Sequence, residues 1–190
     1  MRKAGWFAIP GKQDGARTLK QQLKGLAPAL AAAAGKTVCD LGCAEGLIAL
    51  EFAKAGARSV YACDYNAGMI ETARALQPFA SRASVRFEVK TLEQLIAEEI
   101  ESDVDWRYDI VLALAILHKL RDPVRALAFL ARVCGELAVI RLPKGSTGAF
   151  ETKWYGTRCD VNRELTAHGL ALDQQLPGPD GEWVQYWRRA

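Results

Sequence analysis

The chain has 190 residues, 50% of them hydrophobic, which suits one globular domain with a full core. A net charge of +3 gives no global case for a nucleic-acid partner, and five cysteines without a CxxC pair read as small buried apolar residues in a reducing, cytoplasmic setting. The two histidines are too few and too far apart for a metal site, no run approaches the roughly 18 apolar residues of a membrane span, and the N-terminus lacks the apolar core of a signal peptide.

Charge is uneven along the chain. Residues 1–24 hold six bases and one acid, so the remainder is slightly acidic. Residues 1–12 have no clear period, and Trp6, Phe7, Ile9 and Pro10 suggest an arm that packs. Asp14 is a plausible N-cap. Leu19, Leu23, Leu26 and Leu30 then form one stripe of an amphipathic helix whose other face carries Arg17, Lys20, Gln21 and Lys24. That basic face is either a solvated surface or a cap that steers an anionic substrate.

Thr37-Val38-Cys39 is a β-branched, apolar run suited to a buried parallel strand, and Asp40 ends it. Gly42 and Gly46 open a loop into a helix at 47–55, which Gly56 closes. A second strand spans 59–63, with Asp64 at its C-terminal end. In an open α/β sheet that position faces the ligand crevice, where a carboxylate can accept hydrogen bonds from both hydroxyls of a ribose. Asn66 caps a helix over 67–76. Residues 84–89 alternate like a third strand, Leu92, Leu95 and Ile96 suggest a short helix, and 100–107 reads as an acid-rich loop.

Tyr108 to Leu114 is apolar enough to be a central strand, and 115–121 follow at the crevice. Asp122-Pro123 starts a helix. Val124, Leu127, Leu130 and Cys134 give it a buried face, and Gly135 ends it. A fifth strand spans 137–142, followed by a turn at 143–145 and a stretch at 146–155 in which Phe150, Glu151, Trp154 and Tyr155 are candidates for a pocket wall. Asp160 caps a helix that Gly169 ends. A hairpin of 170–176 and 183–188 closes the chain.

The strand, glycine turn and helix at 37–55 make half a βαβ unit for a nucleoside cofactor. A dinucleotide requires backbone N–H groups to receive a pyrophosphate, usually on GxGxxG. Here the middle glycine is missing, and Asp40 and Glu45 place negative charge at both ends of the loop. The loop therefore favours a ligand with an ammonium and a sulfonium, S-adenosylmethionine, over a nicotinamide dinucleotide.

The segments VCDLGCAEG (38–46), VYACDYNAGMIETAR (60–74), YDIVLALAILHKLRDP (108–123) and AVIRLPKG (138–145), in this order, resemble the class I S-adenosylmethionine-dependent methyltransferases. The resemblance implies a Rossmann-like α/β fold: a seven-stranded, mostly parallel sheet with an antiparallel last strand, helices on both faces and a short N-terminal helical cap. It divides one structural domain into an arm and cap at 1–35 and the methyltransferase domain at 36–190.

The resemblance also implies a cofactor site. Asp40, Gly42, Cys43, Ala44 and Gly46 form the loop around S-adenosylmethionine, whose product is S-adenosylhomocysteine. Asp64 takes the ribose, while Tyr65 and Met69 flank the adenine, two positions that also suit plain core. The family's acid for the adenine amino group is absent, since Thr91 and Leu92 align there with Glu93 next. Ala113 lies where family members often carry a polar residue. Arg17, with Thr18 or Gln22, is a candidate for the methionine carboxylate by analogy with a pre-sheet helix that closes over the cofactor. His118 is either a general base or a group that holds its loop by hydrogen bonds.

These readings favour methyl transfer to a small molecule. Two alternatives stay open: an RNA or protein methyltransferase that uses the basic N-terminal helix, and a non-catalytic module that binds S-adenosylmethionine or S-adenosylhomocysteine.

Overall fold

Alternation along the strands decides what each face of the sheet carries. In Tyr108–Leu114, Ile110 and Leu112 belong to one apolar cluster while Val111 and Ala113 belong to another. A strand apolar on both faces is stable only between two helical layers. The computed structural model, which describes residues 5–9, 15–79, 84–102 and 106–189, has that architecture.

The elements in chain order are β1 (Gly5–Phe7), β2 (Gly15–Arg17), α1 (Leu19–Gln22), α2 (Ala27–Ala31), β3 (Thr37–Leu41) and α3 (Leu47–Lys54). They continue with β4 (Ser59–Asp64), α4 (Ala67–Leu76), β5 (Ser84–Val89), α5 (Leu92–Glu101), β6 (Tyr108–Leu114) and α6 (Pro123–Val133). The chain ends with β7 (Cys134–Leu142), β8 (Ala149–Glu151), β9 (Arg158–Asp160), α7 (Val161–Ala167), β10 (Leu170–Pro177) and β11 (Trp183–Arg189).

Seven strands form one sheet in the order β10-β11-β7-β6-β3-β4-β5. β11 runs antiparallel to both neighbours and the other pairs are parallel. This is the seven-stranded, mostly parallel sheet expected from the sequence. One face packs against α2, α3 and α4 through Ala29, Ile48, Phe52 and Ile70. The other packs against α5, α6 and α7 through Leu95, Leu127, Phe129 and Leu165. From β3 the chain steps outward to β4 and β5, then returns to place β6 on the other side of β3. The strand order reverses there, the place where an open α/β sheet leaves a ligand crevice beyond the carboxyl ends of its strands. Among the described residues no helix is long and apolar enough to cross a membrane.

Four expectations about elements change. The leucine stripe at 19–30 is not one helix but two, α1 and α2. Gly25 separates them with φ +81°, pressed so closely against the Pro177 carbonyl and Val184 that a Cβ there would lie 2.9 Å from both. The leucines still face the core, and Leu26 is fully buried. The expected cap Asp14 lies outside the described residues, and Thr18 caps α1 in a capping box with Gln21. Gly135 does not end a helix: α6 passes straight into β7 at Cys134. Finally, α5 runs ten residues, longer than Leu92, Leu95 and Ile96 alone imply.

Candidate functional site

The loop after β3 is folded tightly against its neighbours. The N–H groups of Gly42 and Cys43 both donate to the Cys63 carbonyl at 2.9 Å, which ties the loop to the end of β4. A Cβ on Gly42 would stand 2.5 Å from Ile116 Cγ2, so the segments leaving β3 and β6 can approach only because that position is bare. Gly46 is the N-cap of α3 with φ +73°, and a Cβ there would meet the Phe87 ring at 2.5 Å and Ala73 Cβ at 2.8 Å. Gly46→Ala therefore combines left-handed backbone strain with overpacking, and is expected to destabilise the fold by roughly 2–4 kcal/mol. A denaturant midpoint within error of the parent would show that the neighbours yield.

Asp64 is buried at the end of β4 and already oriented. Its Oδ2 accepts the Ala44 N–H at 3.0 Å and its Oδ1 accepts the Asn66 N–H at 2.9 Å. Each carboxylate oxygen can accept more than one hydrogen bond, so both keep acceptor capacity. The Asn66 side chain in turn caps α4 by accepting from the Gly68 and Met69 N–H groups.

Above Asp64 lies a cleft of about 530 Å³, lined in part by Gly42, Ala44, Asp64, Tyr65 and Met69. Its walls continue through Lys90, Thr91, Leu92 and Glu93 on one side and Leu114, Ile116, Lys119 and Leu120 on the other. Lys153 and Trp154, from the turn between β8 and β9, complete it. Thr91 also caps α5, accepting the Gln94 N–H. Phe150 is buried beneath this turn.

A second, small cavity of about 20 Å³ shares Gly42, Ala44 and Leu114 with the cleft and is also lined by Gln22, Asp40, Cys43 and Arg141. Three buried polar atoms around it have no hydrogen-bond partner: Gln22 Nε2, Asp40 Oδ2 and Arg141 Nε. Such orphans are rare and call for an explanation. Arg141 is 2% exposed at the end of β7, donates from Nη1 to Gln22 Oε1 at 2.6 Å and from Nη2 to the Gln22 carbonyl, and lies with Nε 3.8 Å from Glu182. Burial lowers its pKa to about 10. Burial, with Asp64 nearby, raises that of Asp40 to about 7 although Arg141 pulls it down.

The remaining expected residues lie elsewhere. Arg17 is in neither space, because its guanidinium makes a two-pronged pair with Glu182 at 2.9 and 3.0 Å and a third contact with Asp180 at 2.8 Å. Gly46 and the buried Glu45 line neither space. Ala113 is fully buried in β6, and its neighbour Leu114 forms the wall. His118 sits half-buried in a short 3-10 turn (Leu117–Lys119) without lining the cleft, and its Nδ1 is buried without a partner. Burial, with Lys119 and Lys153 nearby, lowers its pKa although Glu182 pulls it up. The backbone holds this turn, since the Lys153 N–H donates to the His118 carbonyl at 2.7 Å.

Sequence reasoning did not single out Arg141, Glu182, Lys119 or Lys153. Arg141 did leave a signal: a lone arginine inside the apolar run 137–142 is costly to bury and needs partners.

Residues 38–136 match the model of a methyltransferase domain family. A ubiquinone biosynthesis O-methyltransferase of Hahella chejuensis is 34% identical over 103 residues, covering 54% of this chain and 40% of that protein. A chloroplastic magnesium protoporphyrin IX methyltransferase of Arabidopsis thaliana is 38% identical over 86 residues, 44% of this chain and 24% of that protein. The chain thus spans less than half the length of the curated relatives it matches. The crystal structure of a magnesium protoporphyrin IX methyltransferase from Synechocystis PCC 6803 with bound S-adenosylmethionine superposes with a TM-score of 0.66 at 20% identity, over 86% of this chain and 76% of that one, a likeness of fold.

Proposed function

We propose that the chain, which belongs to the class I S-adenosylmethionine-dependent methyltransferase family, moves the methyl group of S-adenosylmethionine to a small-molecule acceptor. One observation carries the reading. An apolar cleft with an oriented carboxylate adjoins a polar cavity that holds one unpaired acceptor and two unpaired donors. A nucleoside joined to a zwitterionic amino acid has the matching sequence of groups, and a dinucleotide does not.

In this reading the Asp64 carboxylate receives the ribose hydroxyls, and Tyr65, Met69, Thr91 and Leu92 bound the adenine. Asp40 Oδ2 accepts from the ammonium, while Gln22 Nε2 and Arg141 Nε donate to the carboxylate. Gly42, Cys43 and Ala44 lie against the thioether side, and Glu182 and Arg17 hold Arg141 in place. Residues 1–35 act as a cap on 36–190, a role supported by the Arg17–Glu182 and Gln22–Arg141 pairs and by the Tyr186 hydroxyl, which donates to the Gly25 carbonyl at 2.5 Å. The five buried free thiols suit a reducing, cytoplasmic setting.

The bound cofactor supplies an already activated methyl group on a good leaving group. The task left to the protein is to align the acceptor with the C–S bond and exclude water. Ile116, Leu114 and Leu120 supply a dry wall for that purpose. Isothermal titration is expected to give one S-adenosylhomocysteine site per chain and no heat with NADH. Binding of NADH with no response to S-adenosylhomocysteine would overturn the proposal.

A further inference from the structure

Among the described residues the exposed aromatic side chains are Tyr65, Trp154 and Tyr155. Tyr65 lies beside Asp64 in the cleft. The other two are neighbours in the turn at 152–157 between β8 and β9, and Trp154 also lines the cleft, so this turn stands at its mouth. The turn is tightly held: the Thr152 N–H donates to the Thr157 carbonyl at 2.9 Å, and the Thr157 N–H donates to Thr152 Oγ1 at 2.8 Å. It is fastened to the crevice segment by the Lys153 N–H on the His118 carbonyl and by the Thr157 hydroxyl, which donates to the Arg121 carbonyl at 3.2 Å. Residues 153–156, at its tip, are all exposed.

Each ring is paired with a cation. Lys153 Nζ lies 5.5 Å from the centre of the Trp154 ring, and the Arg121 guanidinium 5.6 Å from that of Tyr155. With the ammonium in place Trp154 still has 61% of its surface exposed. The charged side chains of 121–125 and 151–158 are all exposed. Arg121, Arg125, Lys153 and Arg158 outnumber Asp122 and Glu151, which leaves this face at +2. Asp122 is also committed to capping α6, where it accepts the Arg125 N–H at 2.9 Å.

These features select among partners. A tip of four residues offers far less than the roughly 800 Å² that each side of a standard protein interface buries. Single-stranded RNA stacks its bases on open ring faces, and here a cation stands over each ring. A bilayer surface suits both features at once. Trp and Tyr settle at the headgroup level with their rings toward the apolar boundary, while Lys and Arg beside them reach lipid phosphates.

We propose that this turn docks the mouth of the cleft on an anionic lipid bilayer. A surface contact of this kind needs no spanning helix. The proposal goes beyond the methyltransferase reading and stands independently of it.

The test is sedimentation of the protein with phosphatidylcholine vesicles, with and without phosphatidylglycerol. Two net positive charges are expected to favour the anionic vesicles about thirtyfold at low salt, and added salt to shrink that preference. Trp154→Ala is expected to weaken partition about tenfold on both vesicles, because it removes apolar contact and no charge. Tyr155→Ala acts in the same direction and does not touch the cleft lining. Lys153→Glu takes the face from +2 to zero and is expected to abolish the preference. All three side chains are exposed, and circular dichroism matching the parent confirms that the variants fold. Absence of sedimentation, equal partition onto both vesicles, or a preference that Lys153→Glu leaves intact overturns the proposal. So does sedimentation that neither aromatic variant weakens. Retention of oligouridine without vesicle binding also overturns it and assigns the face to nucleic acid. Titration of the same protein with S-adenosylhomocysteine reports on the methyltransferase reading separately, so either can fail alone.

Discussion

Asp64→Ala is expected to weaken S-adenosylhomocysteine binding about 100-fold. A hydrogen bond to a charged group contributes about 1.5–3 kcal/mol. Two ribose hydroxyls on one buried carboxylate therefore account for about 3 kcal/mol, or two factors of ten in Kd. The carboxylate is aimed before the ligand arrives, because the Ala44 and Asn66 N–H groups hold its two oxygens. The substitution also leaves those donors unpaired, so part of its effect falls on the fold. Asp64→Asn separates the two contributions. It keeps the shape and one acceptor oxygen, and its affinity is expected to fall between those of the parent and the alanine variant. Titration calorimetry on protein whose circular dichroism matches the parent makes the measurement. An unchanged Kd in Asp64→Ala would remove the ribose assignment.

The second large effect is on pH. Asp40 has a pKa of about 7, raised chiefly by burial, so without ligand it carries a proton on the acid side of neutrality. An ammonium beside it favours the charged form, and binding must therefore expel that proton below pH 7. S-adenosylhomocysteine stays zwitterionic from pH 5 to 8, so its own groups add no slope. Affinity is expected to approach a tenfold fall per pH unit below neutrality, making Kd at pH 5 about 50 times that at pH 7, where Asp40 is already half protonated. Asp40→Asn is expected to bind more weakly at pH 8 and to lose the slope. A parallel slope in parent and variant would assign the proton elsewhere.

The same group affects stability with a defined sign. Because its folded pKa lies above the ordinary carboxylate value of about 3.9, the native state binds more protons between that value and about 7. Asp40's contribution to stability is therefore fully present below the unfolded value and is lost as pH rises through 7. The difference in unfolding free energy between parent and Asp40→Asn, without ligand, is expected to move against the parent over that window.

The positions of the sheet strands along the chain, the glycine turn and the acid at the end of β4 were determined by the sequence alone. Each follows from local rules: apolar runs of five to seven residues for strands buried on both faces, a glycine where the backbone must turn left-handed, and a fixed place for the residue that ends a parallel strand. Gly42 and Asp64 on the cleft wall were accessible in the same way, since they stand at the ends of parallel strands, whereas Ala44, Tyr65 and Met69 were legible through the family resemblance.

The tertiary structure decided what depends on distant segments meeting. Whether residues 19–30 form one helix or two is settled at Gly25 by Pro177 and Val184, from the other end of the chain. Arg17, basic in sequence, is neutralised by Glu182 and Asp180, while Gln22 from the same region reaches Arg141. In the crevice segment one residue of rotation in a 3-10 turn puts Lys119 on the cleft and His118 behind it. Spacing along a chain specifies which residues share a face of a regular element. It does not specify which charge in one element finds its partner in another, because only the packed sheet brings those elements within a few ångströms of each other.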